Sequence, residues 1–330
     1  MQDGGGASLD RGRRRIGRKR EAGVQRGKPQ ISRGEHVRGG RLREFKKTLL
    51  KTPLFEFGIF RSEAAFAGET RTSIALSHLV AFPRHASNIT QAGRPTEVAT
   101  PVGAVFYNRG CEYVATTIGS TLEVTSFLRV DAGVLRDSIG SFDRKVFDRP
   151  ETPFAFSGGP IPDDVYVRRV GIEGRAGASL LDSIEADEEM LRLVHDVVSS
   201  AYRARSIRQR EKNGKADCEY ARWTQQLIAG DFRSSATLTD IAGRIGVSPF
   251  HLHRVFKRVV GMTIHEFRDR MRLRSAAGEM LDSRMPLSVI GLRAGYSSQS
   301  HFTDSFRKRF GMPPARWRSL VHAGRVSPNS

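Results

Sequence analysis

GVSPFHLHRVFKRVVGM, residues 246–262, and GYSSQSHFTDSFRKRFGM, residues 295–312, are two versions of one segment. Aligned from their ends at an offset of 50, Ser248 meets Ser298, Leu252 meets Phe302, Phe256 meets Phe306, Gly261 meets Gly311 and Met262 meets Met312. The match runs on through Phe267 with Trp317 and Arg268 with Arg318. Ahead of the serines the offset is 49, pairing Gly246 with Gly295 and Ile241 with Ile290. One residue is gained in a turn while the elements on both sides are kept, as in a repeated supersecondary unit.

The unit reads as helix–turn–helix. Thr237 and Asp240 fit a capping box opening a short helix whose inner side carries Ile241, Ala242 and Ile245. Gly246 ends it, because glycine takes the left-handed conformation without penalty. Ser248 is a good N-cap, and Pro249 sits at the first helical position, where the missing N–H has no helical partner. The next helix places Leu252, Val255, Phe256 and Val259 on one buried stripe and turns Phe250, His253, Arg254 and Lys257 the other way. Side chains of this kind near a helix N-terminus, beside cations, suit a recognition helix in the major groove. Arg254 matches guanine O6 and N7, and Phe250 matches a thymine methyl.

In the second copy the inner stripe is Phe302, Phe306 and Phe310, and the outer face offers Gln299, Ser300, Thr303, Asp304, Arg307 and Lys308. Gln299 matches adenine, and Asp304, standing where the first copy has Arg254, accepts from cytosine N4. The two helices are therefore expected to read different sequences. Each outer residue alone suits plain solvated surface; the set in two matching frames favours DNA. The base-reading set is Phe250, His253, Arg254, Gln299, Ser300 and Asp304, and phosphate is expected at Ser248, Lys257, Arg258, Ser298, Arg307 and Lys308. Between the copies, TIHEFRDRMRLRSAAGEML keeps helical spacing at Phe267, Met271, Arg274, Ala277 and Leu281. Its length of roughly 27 Å approaches the roughly 34 Å between successive major-groove faces.

Charge agrees with this reading. The 330 residues carry a net charge of +19, divided as +10 over residues 1–50, 0 over 51–180, −1 over 181–218 and +10 over 219–330. A basic end attracts polyanions, nucleic acid above all, although it serves solubility equally well. Two cysteines, Cys111 and Cys218, stand without Cys or His neighbours at metal spacing, so neither a zinc site nor a disulfide framework is expected. With no apolar run long enough for a membrane span and no apolar stretch after RGRRRIGRKR, a cytoplasmic location is expected.

Upstream, residues 1–45 are Gly- and Arg-rich and predict a disordered basic tail. Residues 46–162 predict short strands. Ile74, Leu76, His78, Val80 and Phe82 share one face at period two, as do Leu122, Val124, Ser126, Leu128 and Val130. Gly- or Pro-containing breaks separate such runs, as in a sandwich or barrel. Residues 163–209 predict helices. DDVYVRRVGIEG reads as a short one, and Ser183 then caps a longer one whose Leu191, Val194, Val198 and Tyr202 form a core face or, alternatively, a dimer seam. Residues 210–217, REKNGKAD, predict a linker, 218–320 the doubled unit, and 321–330 a flexible tail.

The run LTDIAGRIGVSPFHLHRVFKRVVGMTIHEFRDRMRLRSAAGEML, followed by PLSVIGLRAGYSSQSHFTDSFRKRFGMPPARWR, resembles the DNA-binding domain of AraC/XylS-type transcriptional regulators. The resemblance places base reading at the six residues named above. The family's second unit usually has Ala where Gly291 stands, and Gly weakens a helix by about 1 kcal/mol. Asp304 takes a position where some members carry Arg. The N-terminal part is similar, loosely, to the family's cupin-like sensor domains. The expected fold is therefore α+β and multidomain: a β-rich cupin-like barrel or jelly roll with following helices, then an all-α pair of helix–turn–helix units on a long helix. An effector pocket inside the barrel is expected near His78, Phe106, Tyr107 and Tyr113. His78, His85 and Glu112 lack the arrangement of a metal-binding cupin, so no metal or cofactor is expected.

The expected function is sequence-specific transcription regulation, activation included, without enzymatic activity. Double-stranded DNA is the partner, with RNA polymerase, a small effector and a second copy of the chain as further candidates, and no membrane. Two alternatives stand beside it. One is an enzyme, either a metal-dependent cupin or a DNA-repair alkyltransferase fused to the DNA-binding domain, the latter needing a zinc-held cysteine cluster. The other is a sequence-indifferent architectural DNA binder that uses the basic tail.

Overall fold

The computed structural model describes residues 43–210 and 214–323. Nine strands come first: β1 (Arg43–Lys51), β2 (Phe55–Glu63), β3 (Thr70–Ile74), β4 (Leu79–Pro83), β5 (Ser87–Gln91), β6 (Glu97–Ala99), β7 (Gly103–Tyr107), β8 (Glu112–Thr117) and β9 (Leu122–Val130). Then come α1 (Ala132–Gly140), a short β10 (Gly158–Pro160), α2 (Asp163–Gly177) and α3 (Ser183–Arg210). The rest is helical: α4 (Lys215–Gly230), α5 (Leu238–Ile245), α6 (Pro249–Val260), α7 (Ile264–Asp282), α8 (Leu287–Arg293), α9 (Gln299–Phe310) and α10 (Pro314–His322). The architecture is a β-rich half followed by a helical half. Of the tail expected over residues 1–45, only 43–45 lie within the described residues, and they open β1. Of the linker expected over 210–217, residues 211–213 lie outside them, as do 324–330 of the C-terminal tail.

The strands form two antiparallel sheets, β1-β2-β9-β4-β7-β10 and β3-β8-β5-β6. In β9 the expected face is buried at Val124, Ser126, Leu128 and Val130 and breaks only at Leu122, but burial does not alternate, since Thr125 and Phe127 on the opposite face are buried as well, toward the other sheet. The run from Ile74 to Phe82 does not stay on one face. The chain turns between β3 and β4, so Ile74 and Leu76 are exposed while Val80 and Phe82 are buried. Period-two counting carried across that turn joins residues of two different sheets.

The larger sheet packs its helix-side face on α2 and α3. α2 runs three residues past the short helix expected from the sequence. In α3 the cap is Asp182, whose carboxylate accepts from Glu185 N–H at 2.8 Å, and Ser183 is already helical. The buried face is centred on Met190, Leu193, Val194, Val197 and Val198, so it lies one position away from Leu191, which is exposed. This core face continues into the helical half: Tyr166 of α2 stacks on Phe310 of α9 with ring centroids 5.8 Å apart.

Candidate nucleic-acid interface

Local chemistry sets the second helix of both units. The capping box is complete, with Thr237 Oγ1 accepting from Asp240 N–H at 3.2 Å and Asp240 accepting from Thr237 N–H at 2.8 Å. Its hydrogen bonds hold the fully exposed Asp240 carboxyl below the usual carboxylate range. The four glycines aligned by the repeat all have positive φ, 80° at Gly246 and 90° at Gly295, 84° at Gly261 and 76° at Gly311. Each ends a turn or helix that an L side chain would strain. Ser248 and Ser298 cap α6 and α9 alike, each accepting from the N–H three residues on, His251 and His301, at 3.2 Å.

The two helices then sort their side chains as one pattern. In α6, Leu252, Val255, Phe256 and Val259 are buried, and Phe250, His253, Arg254 and Lys257 are exposed, Phe250 to 76 %. In α9, Phe302, Phe306 and Phe310 are buried, and Gln299, Ser300, Asp304, Arg307 and Lys308 are exposed. Asp304 and Arg307 form an exposed ion pair at 3.4 Å. Arg258 is turned back onto α4, where it pairs with Asp217. The expected base-reading residues thus fall on two exposed helix faces, and α7 joins them as a single helix from Ile264 to Asp282.

Sequence reasoning missed what holds these helices to the sheets. Arg274 of α7 is fully buried and donates to Pro101 O at 3.0 Å, Ile161 O at 2.8 Å and Asp163 Oδ1 at 2.7 Å. Asp163 also meets Arg309 of α9 at 3.2 Å. These cations hold its carboxyl below the usual range against the opposing effect of burial. Arg84, Arg169 and Ser126 surround the buried Glu173, and Arg84 reaches Asp282 at 2.9 Å. The first unit is tied separately, by Gln226 of α4 donating to Asn88 of β5 at 2.8 Å. The one sequence signal was Arg274 on an otherwise apolar helical stripe.

A cavity of about 200 Å³ lies between the two sheets. Tyr107 and Tyr113 line it, their rings 4.7 Å apart, among Phe60, Leu79, Ile89, Val105 and Phe127. Its polar floor is the Arg71–Glu123 pair at 2.8 Å. Phe106 points to the other side of its sheet, against Phe154 and Phe156. His78 is buried outside the cavity, with Nδ1 accepting from Arg109 N–H at 3.1 Å. The structure therefore brings Tyr107 and Tyr113 together and leaves the other two expected pocket residues apart from them.

A family model described as a helix-turn-helix domain matches residues 241–319. The chain is 33 % identical over 91 residues to the HTH-type transcriptional activator AarP of Providencia stuartii, covering 28 % of this chain and 67 % of that one. It is 28 % identical over 104 residues to the bifunctional transcriptional activator/DNA repair enzyme AdaA of Bacillus subtilis, covering 32 % of this chain and 49 % of that one. The matched segment thus spans about half the length of AdaA. Among solved structures, ToxT of Vibrio cholerae O395 aligns over 82 % of this chain and 99 % of its own at 10 % identity, with a TM-score of 0.32.

Proposed function

The chain belongs to the AraC/XylS family of transcriptional regulators, and we propose that it reads two successive major-groove segments of one operator, α6 in the first and α9 in the second. The observation that carries this is the pair of capped helices with one repeated pattern, apolar inside and base-complementary outside. Direct readout is assigned to Phe250, His253 and Arg254 on α6 and to Gln299, Ser300 and Asp304 on α9. Lys257, Arg307 and Lys308 meet phosphate, joined by the exposed rims at Ser248 and Ser298. Arg258 reaches phosphate only by leaving Asp217. Because Arg254 and Asp304 occupy matching positions with opposite charge, the two half-sites differ in sequence.

Selection of duplexes from a random pool tests the proposal. The expected outcome is an ordered bipartite motif with its halves about one helical turn apart. Arg254→Ala then costs about 1–3 kcal/mol and relaxes the preference at one position. Equal affinity for every duplex defeats the proposal and favours the architectural alternative.

The inter-sheet cavity is read as the effector site, with Tyr107 and Tyr113 in its wall. β5 connects it to the DNA-binding half: Ser87 and Ile89 line the cavity, and Asn88 between them holds Gln226 of α4. Regulation without catalysis is the reading preferred. The repair activity in AdaA's name is not carried over, because the two cysteines of this chain, Cys111 and Cys218, each stand without a Cys or His neighbour at metal spacing, whereas that chemistry needs a zinc-held cysteine cluster.

A further inference from the structure

The two copies of the repeat are buttressed differently. In the first, α4 lies along α6: Val255 is fully buried, the Tyr220 and His251 rings meet at 5.9 Å, and Arg258 pairs with Asp217. The offset of 50 carries Val255 to Ser305, which is only half-buried, and Arg258 to Lys308, which is exposed with no ion pair among the described residues. α7, the counterpart of α4, leaves a groove of about 440 Å³ against α9.

The groove is walled by His265, Arg268 and Arg272 from α7 and by His301, Ser305 and Lys308 from α9. Its acids are already engaged. Glu266 accepts from Arg270 at 2.9 Å, and Asp269 accepts from Tyr296 at 3.0 Å and from Arg309 at 3.4 Å. Arg272 donates to the carbonyls of Phe232, Arg233 and Ser234, which leave its charge in place. Arg268 has a buried Nε without a hydrogen-bond partner. Arg268, Arg272, Lys308 and Arg309 against Glu266 and Asp269 leave an excess of two positive charges. Burial, then the neighbouring Arg272, push the Arg268 guanidinium below its usual value, so an anion brought into the groove stabilises it.

His301 and Lys308 belong both to this groove and to the exposed side of α9 that carries Ser300 and Asp304. α7 is the rod between the two reading helices. We propose that the groove receives the phosphodiester backbone of the strand that crosses between the two major-groove segments, with Arg268 and His265 joining Lys308 as its phosphate contacts. The inference rests on the DNA-reading proposal. It assigns the connecting helix a share of the binding, independent of base sequence.

The test is a salt titration of the full chain on a duplex carrying the selected motif and on an unrelated duplex of the same length. Each phosphate contact contributes about 0.9 to the slope of log affinity against log salt. Arg268→Gln is expected to lower the slope by about one unit on both duplexes and to leave the base preference unchanged. Arg268→Lys, which keeps the charge, retains most of the slope. His265→Glu keeps the proposal testable should Arg268→Gln fold poorly. His265 is exposed in the first turn of α7, where an acid suits the helix N-terminus and raises stability or leaves it unchanged. Its affinity for both duplexes is nevertheless expected to fall at least tenfold. Unchanged slope and affinity in folded variants overturn the groove and leave the reading helices standing. A change in base preference also overturns it, since a backbone contact carries none. A wild-type chain that prefers no duplex overturns both proposals together.

Discussion

His85, two residues past the end of β4, lies near Asp282 of α7, with its Nδ1 buried and without a hydrogen-bond partner. Burial, then the neighbouring Arg84, push its pKa down from 6.5 to about 4. Protons therefore bind the unfolded chain below about pH 6.5, while the fold holds the ring neutral until about 4. Stability from this group is present in full above pH 6.5 and is lost as pH falls through that window, with an upper limit of about 3 kcal/mol. Urea melts at pH 7 and pH 5 are expected to show the loss in the wild type and a smaller loss in His85→Gln. Equal losses in both would place the acid sensitivity elsewhere. His78 shifts in the same direction, and the comparison cancels its contribution. Neither histidine announced this in the sequence, where His78 alternated with apolar strand residues and His85 followed an arginine. The burial comes from elements far along the chain.

The helical elements were the most legible, because their signals are local. Capping residue, glycine stop and apolar stripe all lie within one turn of what they determine, and the copy at residues 295–312 repeats them. The strands were less legible where a turn interrupts an alternating run, as between Ile74 and Leu79. α8 shows a further limit. Its Gly291 looks like a helix weakness of about 1 kcal/mol relative to Ala. A Cβ there, however, would lie 3.0 Å from the Phe302 ring and 3.1 Å from Phe302 Cβ. Phe302 is fully buried between Tyr296 and Phe306 and has little room to yield. Gly291→Ala is therefore expected to gain none of the propensity difference, and to lose about 1 kcal/mol or more through overpacking. A thermal midpoint raised by Gly291→Ala would show that α8 and α9 can move apart, and the close approach would then not explain the glycine.

In the whole molecule the two helix–turn–helix units are anchored unequally. The first has its own core of Ile241, Leu252, Phe256, Phe267 and Met271, touching the sheets through Ala86, Val102 and Ile118. The second shares one continuous core with the larger sheet, α2 and α3, through Tyr166, Phe310 and Trp317. Asp163 closes that shared interface, engaging Arg274, Arg309 and, at 3.6 Å, Arg270. Asp163→Asn removes the only ion pair of the fully buried Arg274 found among the described residues and leaves its charge to two carbonyls and the Tyr166 ring 4.5 Å away. Stripping one partner from a buried pair costs about 3–5 kcal/mol, because the remaining charge stays out of water; here Asp163 is itself 21 % exposed and Asn keeps an acceptor, so the loss falls at or below the lower end of that range. The loss is expected to be local in its effect. Hydrogen exchange should quicken in α2, in α8 to α10 and in the C-terminal part of α7 from Arg274 on, while α4 to α6 and the N-terminal part of α7, which supplies Phe267 and Met271 to their core, keep their protection. Uniform quickening over all helices would mean that the two units open as one body and that the anchorage is not unequal. Loss of protection in α4 to α6 alone would contradict the assignment of Asp163 to the second unit. If the local pattern is observed, the ion-pair cluster at Asp163 is where the sheets set the placement of α9 relative to α6, and with it the spacing between the two exposed helix faces.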